Sequence, residues 1–545
     1  MKRFVLIAVA LSFAILSITS CAKNENPAEP GATSDDGPVI GDARSNRAEW
    51  TSVFPRAAAA PQHLYVYDAR ADNYEMLIFL TSLQGIVNKT EPRIYMIHTS
   101  EVDPFWLNEM EEDYGVTSET VADPWALLDL FTDEISGLIV YDPDLLASTD
   151  LAGTMAGLNS AVVVAPSLLA QAQSHGLDIL EDMDLRGRFA HRVEMFTWAM
   201  ENVWPLANQE IICFLNPVVY TSRDYLIANN ILTLMLDMHI PEERALLEDV
   251  LAQTPANIPI IGWAIDELLG VIIFSEGNKF HVATDGARNM SVTSGLPFPE
   301  LTQDHAGEFG DVQNKTYIAF AYTDGDNVAY SLDAMWHKWQ DPARGEIPLG
   351  WEISFNLVDL GPMAIRYFYE TRTENDMFIG PACGIGYIYP NRYEDLDAFV
   401  SMTRPYMEAA DMDTIWLIND DLTLADDAVL AYTTGMDLSG IFIDYWANLD
   451  KGFYFASDGT PVLRSQYVYL IGPEQIPGII ETKKVEKDML YPYSPFFLFI
   501  GVNGWATAPS YIKEIIDGLS DEYVVLRPDE MFAAMDKAYD DGWEF

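Results

Sequence analysis

The sharpest chemical signal in the sequence is Asp324-Gly325-Asp326. Two carboxylates two positions apart in an extended segment point to the same side. Such a pair can bind and deprotonate a water, or offer oxygen ligands to calcium or magnesium. Asp-Gly is also ordinary turn chemistry, so a polar turn is the competing reading. The apolar run Tyr317–Tyr322 just before it reads as a buried strand, placing the pair at a strand end. Other strand-like runs lead into Gly384-Ile385-Gly386-Tyr387-Ile388-Tyr389-Pro390, Asn419-Asp420-Asp421, Asp444-Tyr445-Trp446 and Asn503-Gly504-Trp505. Carboxylates, amides and aromatics on one rim suit a sugar site. Rings stack on the apolar faces of sugars, and acids handle the glycosidic oxygen and the water. Tyr387, Tyr389, Asp420, Asp444, Trp446 and Trp505 are therefore candidate substrate contacts.

Other chemistries lack their residues. The eight His form no HxxH, HxxxH or HExxH, which argues against a catalytic zinc. No GxSxG offers a serine nucleophile, and no CxxC offers a thiolate pair. Cys213 and Cys383 lie in or beside apolar runs and read as two buried free thiols. No cofactor is expected, with a calcium or magnesium ion at Asp324 and Asp326 left open.

The elements that must position these groups form two rhythms. In the second half, strand-like runs recur at Tyr317–Tyr322, Trp351–Phe355, Met377–Gly380, Thr414–Ile418, Gly440–Ile443, Phe496–Ile500 and Tyr523–Leu526. Helical stretches lie between them, including Asn327–Trp339 and Pro362–Arg372. Strands alternating with helices predict a deviant TIM-like β/α barrel of about seven strands, with an open doubly wound sheet as runner-up. Gly452–Leu470 reads as an extra hairpin. In such barrels the reacting groups sit at the C-terminal strand ends. The first half shows three irregular strand–helix–strand units, which predicts divergent α/β repeats. Their third helix is expected over Tyr225–Met238.

Composition narrows the partners. The 545 residues carry 83 acidic and 31 basic side chains, a formal charge of −52. That surface repels phosphate backbones, so nucleic-acid binding is excluded. The N-terminus opens with Lys2-Arg3, then the apolar run Phe4–Ile18, short for a membrane span of about 20 residues. Ile18-Thr19-Ser20-Cys21 reads as a bacterial lipobox, with Cys21 lipidated in the mature protein. The expected organisation is a signal peptide over 1–20 and a disordered tether over 21–50. An N-terminal α/β repeat domain over 51–305 and a barrel over 306–545 follow. The chain is then expected at the bacterial cell envelope, on the outer membrane, held by lipid.

The string Gly384-Ile385-Gly386-Tyr387-Ile388-Tyr389-Pro390 meets every fixed position of GxGYxYP. The sequence thereby resembles a bacterial family of proposed glycoside hydrolases, common in polysaccharide-degrading gut bacteria. Trp351-Glu352-Ile353, Ala287-Arg288-Asn289-Met290-Ser291 and Arg527-Pro528-Asp529-Glu530 are similar to further landmarks of that family. The resemblance implies a glycosidase site in a cleft between the N-terminal domain and a deviant barrel. It implies a catalytic Glu late in the N-terminal domain plus the Asp-x-Asp pair. These fall on Glu267, with Asp266 and Glu276 as alternatives, and on Asp324 and Asp326. Glu267 would be the acid, its pKa raised by Trp263 and neighbouring carboxylates. Asp326 would be the base, Asp324 would orient the water, and the outcome would be inversion. Trp263 joins the substrate contacts. A non-catalytic glycan-binding lipoprotein and a metal-dependent hydrolase are the alternatives.

Overall fold

A computed structural model describes residues 52–420, 424–444, 452–466 and 472–543. Cys21 and Trp446 lie outside the described residues. The first half builds three small parallel sheets. β1 (His63–Asp68), β2 (Ile94–Ile97) and β3 (Thr117–Val121) pair in the order β2-β1-β3. β4 (Gly137–Val140), β5 (Ala161–Val164) and β6 (Ile179–Asp184) pair as β5-β4-β6. β7 (Asn208–Phe214), β8 (Ile231–Leu234), β9 (Ile258–Gly262) and β10 (Lys279–Val282) pair as β10-β9-β7-β8. β4, β5, β8, β9 and β10 are buried along their whole length, as expected of strands covered on both faces.

The third unit corrects the expected helix over Tyr225–Met238. Only Arg223–Ala228 is helical, and Ile231–Leu234 is β8. Asn230 takes a left-handed φ of 54°, which breaks the helix, and the fully buried Ile-Leu-Thr-Leu run then favours a sheet. The helix expected over Asn327–Trp339 is likewise split at Asp333 into Val328–Leu332 and Ala334–Trp339.

The second half holds β11 (Thr316–Tyr322), β12 (Leu349–Glu352), β13 (Asp376–Ile379), β14 (Thr414–Ile418) and β15 (Gly440–Asp444). It continues with β16 (Phe453–Phe455), β17 (Pro461–Arg464), β18 (Phe496–Val502) and β19 (Tyr523–Val525). One sheet runs β13-β12-β11-β18 and the other β14-β15-β17-β16. Only the β16–β17 pairing is antiparallel. Single parallel bridges join their edges, Gly380 to Ile415 and Ser465 to Phe499.

Two expectations are corrected here. The expected extra hairpin supplies a main strand, because β17 pairs with β15 on its other edge. The run Tyr523–Leu526 lies off the main path: β19 pairs only with Thr316–Ile318 of β11. β12 meets β11 further along, at Ala321 and Tyr322, which leaves the first half of that edge open for β19. Cys213 and Cys383 are both free and buried. Among the described residues no helix is long and apolar enough to cross a membrane.

Candidate functional site

The GxGYxYP segment follows β13 and clamps the two halves together. Gly384 has φ +132°, and a Cβ there would lie 2.6 Å from Thr403 Oγ1. A Cβ on Gly386 would lie 2.5 Å from Phe280 Cδ2 and 2.7 Å from the His281 carbonyl oxygen. Glycine is required at both places, once for conformation and once for close approach. That approach lets Tyr387 bridge to His281 of β10, the two backbones exchanging hydrogen bonds of 2.6 and 3.0 Å. The Tyr389 N–H donates to Ser275 Oγ at 3.0 Å.

Tyr387 and Tyr389 are therefore buried, at 4% and 3% exposure. This corrects the expectation that they line a subsite. Their hydroxyls meet at 3.2 Å, and the Tyr387 hydroxyl donates to Glu267 Oε1 at 3.2 Å. Glu267 opens the helix Glu267–Glu276, capped by Asp266, whose side chain accepts from the Leu269 N–H. Asp266 also faces His239 at 3.1 Å. Burial and the charge of Asp266 raise the Glu267 pKa, while the Tyr387 hydrogen bond opposes them.

Opposite stands a crowd of carboxylates at the C-terminal strand ends. Asp324 follows β11 with a left-handed φ of 73°, and the Trp505 indole N–H donates to its Oδ2. Gly325 lies so close to β12 that a Cβ would sit 1.9 Å from the Glu352 carbonyl oxygen. Its N–H donates to Glu352 Oε2 at 3.2 Å, and the Ala382 N–H donates to Oε1 at 2.8 Å. Glu352 is buried, and burial with the charges of Asp324 and Asp444 lifts it to about 8 against the pull of those two donors. Asp326 is half-buried. Burial and the charges of Glu352, Asp324 and Glu267 push it well above the carboxylate range.

Glu352 is thus a central acid that the sequence reading held only as a landmark. Its signal is its place at the end of the strand Leu349–Glu352, which the apolar Ile353 masks by extending the strand-like run. Asp285 was missed as well. It follows β10, is buried, is lifted to about 8 by burial, and its side chain hydrogen-bonds Asn327. The Val328 N–H donates to the Ala283 carbonyl at 2.8 Å, tying the two loops together.

The remaining candidates are placed differently. Asp420 accepts three hydrogen bonds from Arg392, at 2.9, 2.9 and 2.7 Å, and Arg392 also donates to Glu276 at 2.7 Å. Both acids are thus engaged in an ion-pair network. Asp444 ends β15, is buried, and faces Arg464 of β17, where burial lowers the guanidinium pKa and the charge of Asp444 opposes that. Trp263 and Trp505 line a cavity of about 610 Å³ between the two halves, which Asp285 also touches. Among the described residues no three His, Cys, Asp or Glu are grouped to hold a metal ion.

The architecture defines an α/β protein with a parallel-sheet N-terminal half and a β/α C-terminal half. It belongs to the GxGYxYP family. The "GxGYxYP putative glycoside hydrolase C-terminal domain" profile matches residues 314–536. Three N-terminal profiles of the same family match 63–133, 135–207 and 209–295. The fold is similar to the crystal structure of a "putative hydrolase" from Bacteroides thetaiotaomicron VPI-5482. The TM-score is 0.80 at 21% identity, covering 91% of this chain and 97% of that one. An exo-type maltose-forming amylase from Pyrococcus sp. ST04 aligns at a TM-score of 0.26 and 12% identity, covering 42% of this chain and 49% of that one. That likeness is too weak to carry an argument. No curated protein matches the sequence.

Proposed function

We propose that the chain is a glycoside hydrolase whose site lies where the helix Glu267–Glu276 faces the ends of β11 and β12. The family profile's description supports the reading, and the carboxylate crowd carries it. Glycoside hydrolysis needs one carboxyl that keeps its proton and one that does not. Burial, with the charges of Glu352, Asp324 and Glu267, raises the Asp326 pKa and favours its protonated form. Burial lifts Glu352 to about 8 against the pull of its two backbone N–H donors, so it too mostly carries its proton at neutral pH and is not the ionised group. Burial raises the Glu267 pKa, and the hydrogen bond from Tyr387 opposes that rise and favours its carboxylate.

The roles expected from the sequence are therefore exchanged in this reading. Asp326 protonates the leaving oxygen. Glu267 takes a proton from the attacking water, with inversion. Asp324, fixed by Trp505, orients that water. The two C-terminal sheets act as one seven-stranded parallel barrel presenting these ends at one mouth, a reading supported by the Gly380–Ile415 and Ser465–Phe499 bridges. The lipobox supports lipidation at Cys21 and display of the enzyme on the bacterial outer membrane.

Leaving-group dependence tests the roles. Asp326→Asn and Glu267→Gln should each lower kcat by on the order of 10²–10⁴ on natural glycans. On aryl glycosides, which need little protonation, Asp326→Asn should recover most of its activity and Glu267→Gln should not. The opposite pattern returns the acid role to Glu267. Wild-type levels in both variants move the chemistry elsewhere.

A further inference from the structure

The cavity between the halves has a wall of distinct character. Trp263, Tyr220 and Trp505 supply rings, and Val218 and Ile265 supply exposed apolar surface. It touches the acid cluster at two points. Trp505 donates to Asp324, and Asp285 bonds Asn327 beside Asp326. About 610 Å³ is within the ordinary range of ligand pockets, roughly 300–1,000 Å³.

Its charges are all spoken for. Arg288 donates to Asp103 at 2.9 Å and to Asp333 at 2.6 Å, leaving its guanidinium neutralised on both edges. His98 packs against Tyr220, with ring centroids 5.5 Å apart, and burial lowers its pKa to about 4, so it is uncharged at neutral pH. Asp285 is buried and, near 8, mostly carries its proton. An anionic sugar entering here finds rings to stack on and no free cation. A buried charge without a partner is costly. An uncharged sugar meets the same rings together with the polar side chains of Thr99, Asn216 and Thr221 in the lining.

We propose that this cavity is the glycan subsite next to the cleavage point, and that it selects uncharged sugars over uronate-bearing or sulfated ones. The inference rests on the glycosidase reading above and deepens it.

Binding to the Asp326→Asn variant separates the two. Uncharged, uronate-bearing and sulfated oligosaccharides of equal length are titrated while Trp fluorescence is followed. The expected result is binding by uncharged members only, weakened on the order of ten-fold by Trp263→Ala. Asp333→Ala, which releases one edge of Arg288, should strengthen uronate binding by about ten-fold. Equal or tighter binding of a charged series overturns the inference. So does unchanged binding in Trp263→Ala, unchanged uronate binding in Asp333→Ala, or no binding by any series. Hydrolysis of the panel by the wild type, with no binding in the cavity, leaves the glycosidase reading standing. Binding as expected, without hydrolysis, overturns that reading and keeps this one.

Discussion

The hydroxyl of Tyr387, in the motif loop after β13, donates to Glu267 Oε1 at 3.2 Å on the first helical turn after β9. A residue of the C-terminal half thereby opposes the rise that burial imposes on the pKa of an acid from the N-terminal half. Tyr387→Phe removes the bond that favours the carboxylate. The Glu267 pKa should rise, and the acidic limb of kcat/KM should move to higher pH. Activity at neutral pH should fall by on the order of ten-fold, with Tm little changed because the ring stays packed. A limb that does not move means Glu267 is not the ionised group.

Gly325→Ala forces a methyl against the Glu352 carbonyl oxygen, 1.9 Å from the ideal Cβ position. The backbone must shift, at a cost of about 1–3 kcal/mol or more. Thermal unfolding should show a lower Tm. Hydrolysis should fall further than stability alone accounts for, since the Gly325 N–H leaves Glu352. Gly307→Ala, where a Cβ meets nothing within 4 Å, is the control and should behave as wild type.

Stability should fall as pH rises from about 4 to about 8. Glu352 and Asp285 are lifted from 4.5 and 3.8 to about 8 by burial. The folded state therefore holds protons that the unfolded chain releases. The contribution is fully present below the unfolded values and is lost as pH rises through about 8. A series of melting curves from acid to alkaline pH should show Tm declining across that window. The double variant Glu352→Gln, Asp285→Asn should flatten the decline. An unchanged slope would show that neither group titrates there.

Cys21→Ser should abolish acylation and leave the chain unprocessed or released from the membrane fraction. Metabolic labelling with a fatty acid, followed by fractionation, reads this directly. A mutant still labelled and still sedimenting with the outer membrane removes the lipoprotein assignment.

Asp324 and Asp326 were legible in the sequence because strand, turn and carboxylates are consecutive, and local chemistry is written locally. The motif glycines were legible for the same reason: Gly384 and Gly386 mark places where a side chain has no room. The parallel strands showed as continuous apolar runs such as β11 and β18, buried at every position. Short apolar runs carry no sign of helix or strand, so it is pairing with β7 that makes Ile231–Leu234 a strand.

Partnership across the chain decided the rest. Whether β17 or β19 joins the main path depends on which edges β15, β11 and β18 leave open. The tyrosines of the motif could have faced sugar or core, and the bridge to His281 turned them inward onto Glu267. Asp420 matched Asp324 in position until Arg392 engaged it. Glu352 gains its shifted pKa from burial and from charges on other strands. The sequence by itself determined which residues are able to ionise, stack or turn. Only the tertiary structure decided which keep a proton, because desolvation and Coulomb interaction depend on neighbours that are distant along the chain.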